Sequence, residues 1–171
     1  AWTSVESFNA SKNLDLPAGD GIKTVYVRYY DRAGNESAGF SRSITLDTAA
    51  PTGSFAINNN ASQTTAREVS LALTGSDALS GVGEMRFSLD SGNTWTAWET
   101  MAASTYLSLT GANGNKVVQY QIKDRAGNIS PVYSKSITLN LVTIPVVQFT
   151  SPVSTANADY TLNYTVDGVQ H

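Results

Sequence analysis

Asp31-Arg32-Ala33-Gly34-Asn35 recurs unchanged as Asp124-Arg125-Ala126-Gly127-Asn128, 93 residues downstream. Sliding the chain by that interval aligns residues 2–47 on 95–140 without a gap, and about 21 of the 46 positions are identical. Trp2 falls on Trp95, Glu6 on Glu99, Leu14 on Leu107, Leu16 on Leu109, Lys23 on Lys116 and Val25 on Val118. Ser43-Ile44-Thr45-Leu46 falls on Ser136-Ile137-Thr138-Leu139. A gapless match of this length marks two copies of one unit. Its period assigns a whole domain to each repeat rather than one turn of a solenoid.

A third copy begins near the end of the chain. Pro51-Thr-Gly-Ser-Phe55 resembles Pro145-Val-Val-Gln-Phe149, and the alternation Val69, Leu71, Leu73 returns as Tyr160, Leu162, Tyr164. The repeat therefore divides the chain into the second half of one domain (1–47), a complete domain (48–140) and the first half of a further one (141–171).

Within the complete unit, short apolar alternations stand between turn residues, and no stretch carries a helical period. Strands are expected at Ser54–Asn58, Glu68–Thr74, Glu84–Leu89, Trp95–Glu99, Thr105–Leu109, Lys116–Lys123 and Val132–Leu139. Seven strands in about 93 residues is the pattern of an all-β, antiparallel, immunoglobulin-like sandwich. Alternation assigns Val69, Leu71, Leu73, Met85, Phe87, Leu89, Val118, Tyr120, Ile122, Ile137 and Leu139 to the inner faces. Val25, Val27 and Tyr29 take the inner role in the first unit. The chain has no cysteine, so the core has to hold without a cross-sheet disulfide.

The repeated pentapeptide falls between the last two strands of each unit and suits a tight turn. Its Asp accepts from backbone N–H groups ahead of it, its Gly permits positive φ, and its Asn tolerates the left-handed region. Units that close in this way, continue into Ser-Ile-Thr-Leu-Asp and pass a proline-containing joint resemble the bacterial Ig-like domains strung together in surface and secreted proteins. Gly75-Ser-Asp77-Ala-Leu-Ser-Gly-Val82 and Met85-Arg-Phe-Ser-Leu-Asp90 carry the same resemblance. It covers essentially the whole chain. It implies an extracellular or cell-surface setting, neighbouring Ig-like domains of the same chain as partners, and a role as stalk, adhesin or accessory module. Fold alone does not choose among these roles.

Composition narrows the chemistry. With 41% apolar and 15% charged residues the chain can bury a core, and a net charge of -3 offers no pull toward nucleic acid. No apolar run reaches the length of a membrane span, and the opening Ala-Trp-Thr-Ser-Val is not a signal peptide. The single histidine is His171, and neither G-x-S-x-G nor H-E-x-x-H occurs. A non-enzyme without a cofactor is the expectation.

Three features offer chemistry beyond the fold. Asp47, Asp77, Asp90 and Asp124 lie near loops or joints, where oxygen-rich Ca²⁺ sites form, although no contiguous ligand loop is present. Ser88-Leu-Asp90-Ser-Gly92-Asn-Thr94-Trp95 matches the Asp-box of sialidase-like propellers, which is itself a hairpin device with a packed Trp. If Val25, Val27 and Tyr29 face inward, then Tyr26, Arg28 and Tyr30 form an outward stripe able to stack on a glycan or partner protein. Packing on a solvated sheet accounts for that stripe equally well.

The joints Asp47-Thr-Ala-Ala-Pro51 and Asn140-Leu-Val-Thr-Ile-Pro145 are short and not Gly/Ser-rich, which predicts a semi-rigid array. Half domains leave sheet edges and faces open, so the segment is expected to belong to a longer chain. Tail-to-head completion between copies would lack the equivalent of Ser80–Thr94. The alternatives to a structural or adhesive array are an accessory, glycan-binding module of a secreted hydrolase and a subunit of a filament or surface layer.

Overall fold

The computed structural model describes residues 2–142, 165–166 and 169–170. In chain order, β1 (Gly21–Val27) and β2 (Phe40–Leu46) form an antiparallel pair. Then come β3 (Thr52–Ile57), a single 3-10 turn at Asn58–Asn60, β4 (Gln63–Thr64), β5 (Glu68–Ser76) and β6 (Val82–Ser88). They are followed by β7 (Glu99–Thr100), β8 (Ser104–Ser108), β9 (Gly114–Asp124) and β10 (Tyr133–Leu139). A last short pair, β11 (Thr165–Val166) and β12 (Val169–Gln170), is antiparallel. The rest of the expected third unit, with His171, lies outside the described residues.

Strands β3 to β10 make a two-layer sandwich of the immunoglobulin type. One layer has the order β3-β5-β8 and the other β4-β10-β9-β6-β7. Pairing is antiparallel except where β4 runs parallel to β10. The chain changes layer at Asn58-Asn59-Asn60, whose φ values of 44°, 55° and 64° are left-handed. Asn adopts that region at lower cost than most residues, and the Asn58 side chain is further held by the Ser70 N–H at 2.8 Å. Strand β4 has no apolar alternation to announce it.

The inner faces are those that period-two alternation selects. Val69, Leu71, Leu73, Met85, Phe87, Val118, Tyr120, Ile122, Ile137 and Leu139 are buried, joined by Phe55, Ile57 and Leu109, with Leu89 half-buried against them. Tyr120 sits at the centre, its ring centroid 5.5 Å from those of both Phe55 and Phe87. Its hydroxyl donates to the Thr74 carbonyl at 3.3 Å, and burial pushes its pKa up to about 12.

One strand differs from expectation. Residues 95–98 are not a strand, and pairing with β6 is limited to Glu99–Thr100. Trp95 and Trp98 instead turn onto the outer face of β6, where Arg86 stands over both rings. Thr96 keeps the segment attached, exchanging bonds of 2.9 and 3.0 Å with the Phe87 backbone.

The two copies of the repeat share one geometry. Every Cα pair of β1 and β2, from Gly21↔Leu46 to Val27↔Phe40, has its counterpart 93 residues on, from Gly114↔Leu139 to Tyr120↔Tyr133. In both turns Gly is left-handed, at φ 87° for Gly34 and 100° for Gly127. Asn35 N–H and Nδ2 bond to the two Asp31 carboxylate oxygens at 2.9 and 2.7 Å, and Asn128 does the same to Asp124, both at 2.8 Å. Ser37 and Ser130 then accept the N–H of Tyr29 and Ile122 at 2.9 and 3.1 Å. The shared pentapeptide thus builds the same hydrogen-bonded corner in both copies.

Candidate functional site at the domain entry

Asp47 follows β2, Asp77 follows β5, and Asp124 ends β9. The fold brings these three together, with one carboxylate oxygen from each within 4.8 Å of the others. Asp47 and Asp124 are buried and Asp77 is half-buried. Each is fixed locally. Asp77 Oδ1 accepts the N–H of Leu79 at 3.1 Å and of Gly81 at 2.8 Å, closing the loop before β6, where Gly81 is left-handed at φ 75°. Asp47 accepts the N–H of Ala49 at 3.1 Å through Oδ1 and of Ser80 at 2.9 Å through Oδ2. Asp124 is held by Asn128, as described.

These bonds make the joint part of the domain. The Asn128 amide also donates to the Asp47 carbonyl at 3.0 Å, and Pro51 is fully buried. The linker from β2 to β3 is therefore pinned to the loop before β6 and to the corner after β9. The Ser80 hydrogen bonds are the main reason the Asp47 carboxyl titrates below the ordinary carboxylate range, against the opposing effect of its desolvation.

Among the described residues the ion pairs are Lys12–Glu6, Arg28–Glu36 and Lys123–Glu84, so none neutralises this trio. Three oxygen-donor carboxylates from three segments are the donor type that a hard cation such as Ca²⁺ accepts. Of the four aspartates singled out in the sequence, Asp47, Asp77 and Asp124 are those that meet.

Asp90 is elsewhere, in the turn after β6. Its Oδ1 accepts the Thr94 N–H at 2.9 Å and the Ser88 hydroxyl at 2.8 Å, and Oδ2 accepts the Thr94 hydroxyl at 2.6 Å. The Thr94 hydroxyl leads the causes that lower its pKa. Ser91 and Gly92 are left-handed, and Gly92 N–H bonds Ser88 Oγ at 2.9 Å. The Asp-box residues here build a hairpin corner.

On the outer face of the five-stranded layer, Arg86 lies 4.6 Å from the Trp95 ring centroid and 4.4 Å from that of Trp98, and Lys123 Nζ lies 4.6 Å from the latter. Arg86 is oriented by two bonds to Gln121 Oε1, at 3.2 and 2.7 Å. Arg28, aligned with Gln121, plays the matching part in the first unit: it stands 4.2 Å from the Trp2 ring and 5.6 Å from that of Tyr30. Glu36 binds both Arg28 and the Tyr30 hydroxyl, the latter at 2.9 Å. Of the stripe Tyr26, Arg28 and Tyr30, the last two are engaged in this internal ladder, whereas Tyr26 stands exposed beside them. The ladder was missed in the sequence because Arg86 and the two Trp residues lie on different segments.

No protein-family model and no curated protein matches the chain. Among solved structures it is similar to the PKD1 domain of Vibrio anguillarum Epp, at 16% identity and a TM-score of 0.42, over 56% of this chain and 100% of that one. It is also similar to the PKD1 domain of the Vibrio cholerae metalloprotease PrtV, at 17% identity and a TM-score of 0.41, over 54% of this chain and 99% of that one.

Proposed function

We propose that the chain is a non-catalytic, structural or adhesive segment of a multi-domain extracellular bacterial protein, in which Ig-like sandwiches follow one another as a semi-rigid spacer. On this reading residues 1–47, 48–140 and 141–171 belong to three successive domains. The observation that carries it is the anchored joint: Asp47 and Pro51, which link β2 to β3, are bound into the end of the sandwich rather than left in solvent. A linker so held restricts the angle between neighbours. The extracellular bacterial setting rests on the motif resemblance.

The chain has no native cysteine, so Ser41→Cys and Ser91→Cys place two spin labels cleanly, one on each side of the joint. Pulsed dipolar spectroscopy is expected to give one narrow distance, which broadens on Asn128→Ala. A broad distribution in the parent protein would sink the spacer reading. Glycan-array binding by the full-length protein separates adhesive from purely spacing use.

A further inference from the structure

The complete domain shows what covers the face that the first unit leaves open. In the sandwich, Tyr120, Ile122 and Ile137 are 0%, 0% and 1% exposed beneath the β3-β5-β8 layer. Their repeat equivalents are Val27 and Ile44 on the β1–β2 pair and Tyr29 just past the end of β1, which are 39%, 56% and 48% exposed. Phe40 and Leu14, equivalent to Tyr133 and Leu107, are exposed as well. All seven Cα pairs match across the two hairpins, so the open residues present the same face as the covered ones. The edge is equivalent too. Strand β9 lies between β10 and β6, whereas β1 pairs with β2 alone among the described residues.

We propose that the apolar face and free edge of the β1–β2 pair bind a four-strand segment built like Pro51–Ser88 of this chain, carried ahead of it on the same polypeptide. The complete unit argues for both the chemistry and the order. There, β3, β4, β5 and β6 precede β9 and β10. Phe55, Ile57, Leu71 and Leu73 cover the inner face of the opposite layer, and β6 takes the edge of β9. A face on which buried positions alternate with solvated ones demands a partner sheet with the same alternation. Residues 11–16 carry Leu14 and Leu16 at the positions of Leu107 and Leu109 but form no strand here. With the segment docked, they take the place of β8 beside its second long strand. The inference rests on the reading of residues 1–47 as part of one Ig-like domain of the array and names what completes it; the angle of the joint is tested separately by the spin-label distance.

The repeat register allows a direct test. Residue 1 is equivalent to residue 94, so residues 48–93 fused directly ahead of the full chain restore one continuous unit. Amide hydrogen exchange at Val25, Val27, Tyr29 and Ile44 is expected to slow at least tenfold relative to the unfused chain, with new protection at residues 11–16 and loss of ANS fluorescence. Leu71→Asp within the fused copy alone should restore fast exchange. A second fusion carrying Val27→Tyr and Tyr29→Ile makes the face identical at these positions to the one that residues 48–93 already cover. If neither fusion protects β1 while residues 48–140 stay folded, the proposal is wrong. It is equally wrong if the unfused chain already protects these amides and sediments as a dimer, because the occupant is then a second copy.

Discussion

The Asn128 side-chain amide donates at once to the Asp47 carbonyl, 3.0 Å away and 81 residues earlier, and to Asp124 Oδ2 at 2.8 Å. One side chain thereby ties the entry of the domain to its last hairpin. Asn128→Ala leaves a buried carboxylate and a carbonyl short of a donor, a loss of roughly 1–3 kcal/mol. Asn35→Ala removes only exposed bonds of the same corner and is expected to cost much less. Urea unfolding of the two variants, compared by midpoint at constant m-value, checks the ordering.

The corner closed by Asp90 should be sensitive to acid. Its folded pKa is lowered, chiefly by the Thr94 hydroxyl, so it stabilises the fold fully above the unfolded value of about 3.9 and loses that contribution as pH falls through the folded value. Asp90→Asn is expected to lower the melting temperature at pH 7 and to differ less from the parent near pH 2. An unchanged difference across that range would remove the carboxylate from the account.

Arg86 between two indoles predicts a fluorescence signature. Arg86→Ala should shift the Trp95 and Trp98 emission to longer wavelength and cost on the order of 1–2 kcal/mol through lost cation–π contact and packing. Arg86→Lys keeps the charge but loses the planar fork that Gln121 orients, and is expected to fall between the two. Equal emission in all three proteins would mean that the ladder does not persist in solution.

Tyr120 should ionise well above the ordinary tyrosine range. Its pKa, raised by burial to about 12, means that its contribution to stability is fully present below the unfolded value of about 10 and is lost as pH rises toward 12. Spectrophotometric titration at 295 nm should lose this late step in Tyr120→Phe. The same variant forfeits the bond to Thr74, worth about 1 kcal/mol.

Most of the sandwich was legible because its information is local. Alternation in Val69-Ser-Leu71-Ala-Leu73 and Val118-Gln-Tyr120-Gln-Ile122 names a buried face whatever the partner, and the 93-residue repeat carried the register with it. Strand β4 was not legible, since Gln63 and Thr64 become a strand only where the Asn58–Asn60 turn delivers them to β10. The strand expected at Trp95–Glu99 failed because Arg86, on another segment, competes for both Trp rings. The aspartates were visible one by one. Their meeting depends on three strand ends lying at one end of the sandwich, which the topology decides and no spacing announces.

The layer change at Asn58–Asn60 has a mechanical consequence. It seats β4 parallel to β10, with Thr138 N–H bonded to Ser62 O at 3.0 Å and Asn140 N–H to Thr64 O at 2.8 Å. Tension entering through Asp47 and leaving through Leu141 pulls these two neighbours in opposite directions along their length. Their bonds are then loaded in shear and must fail together, not one after another as in an opening zipper. A domain strapped in this way yields at a higher force than its melting temperature alone would suggest, and Thr64→Pro, which removes a donor from the strap, should lower that force in single-molecule stretching.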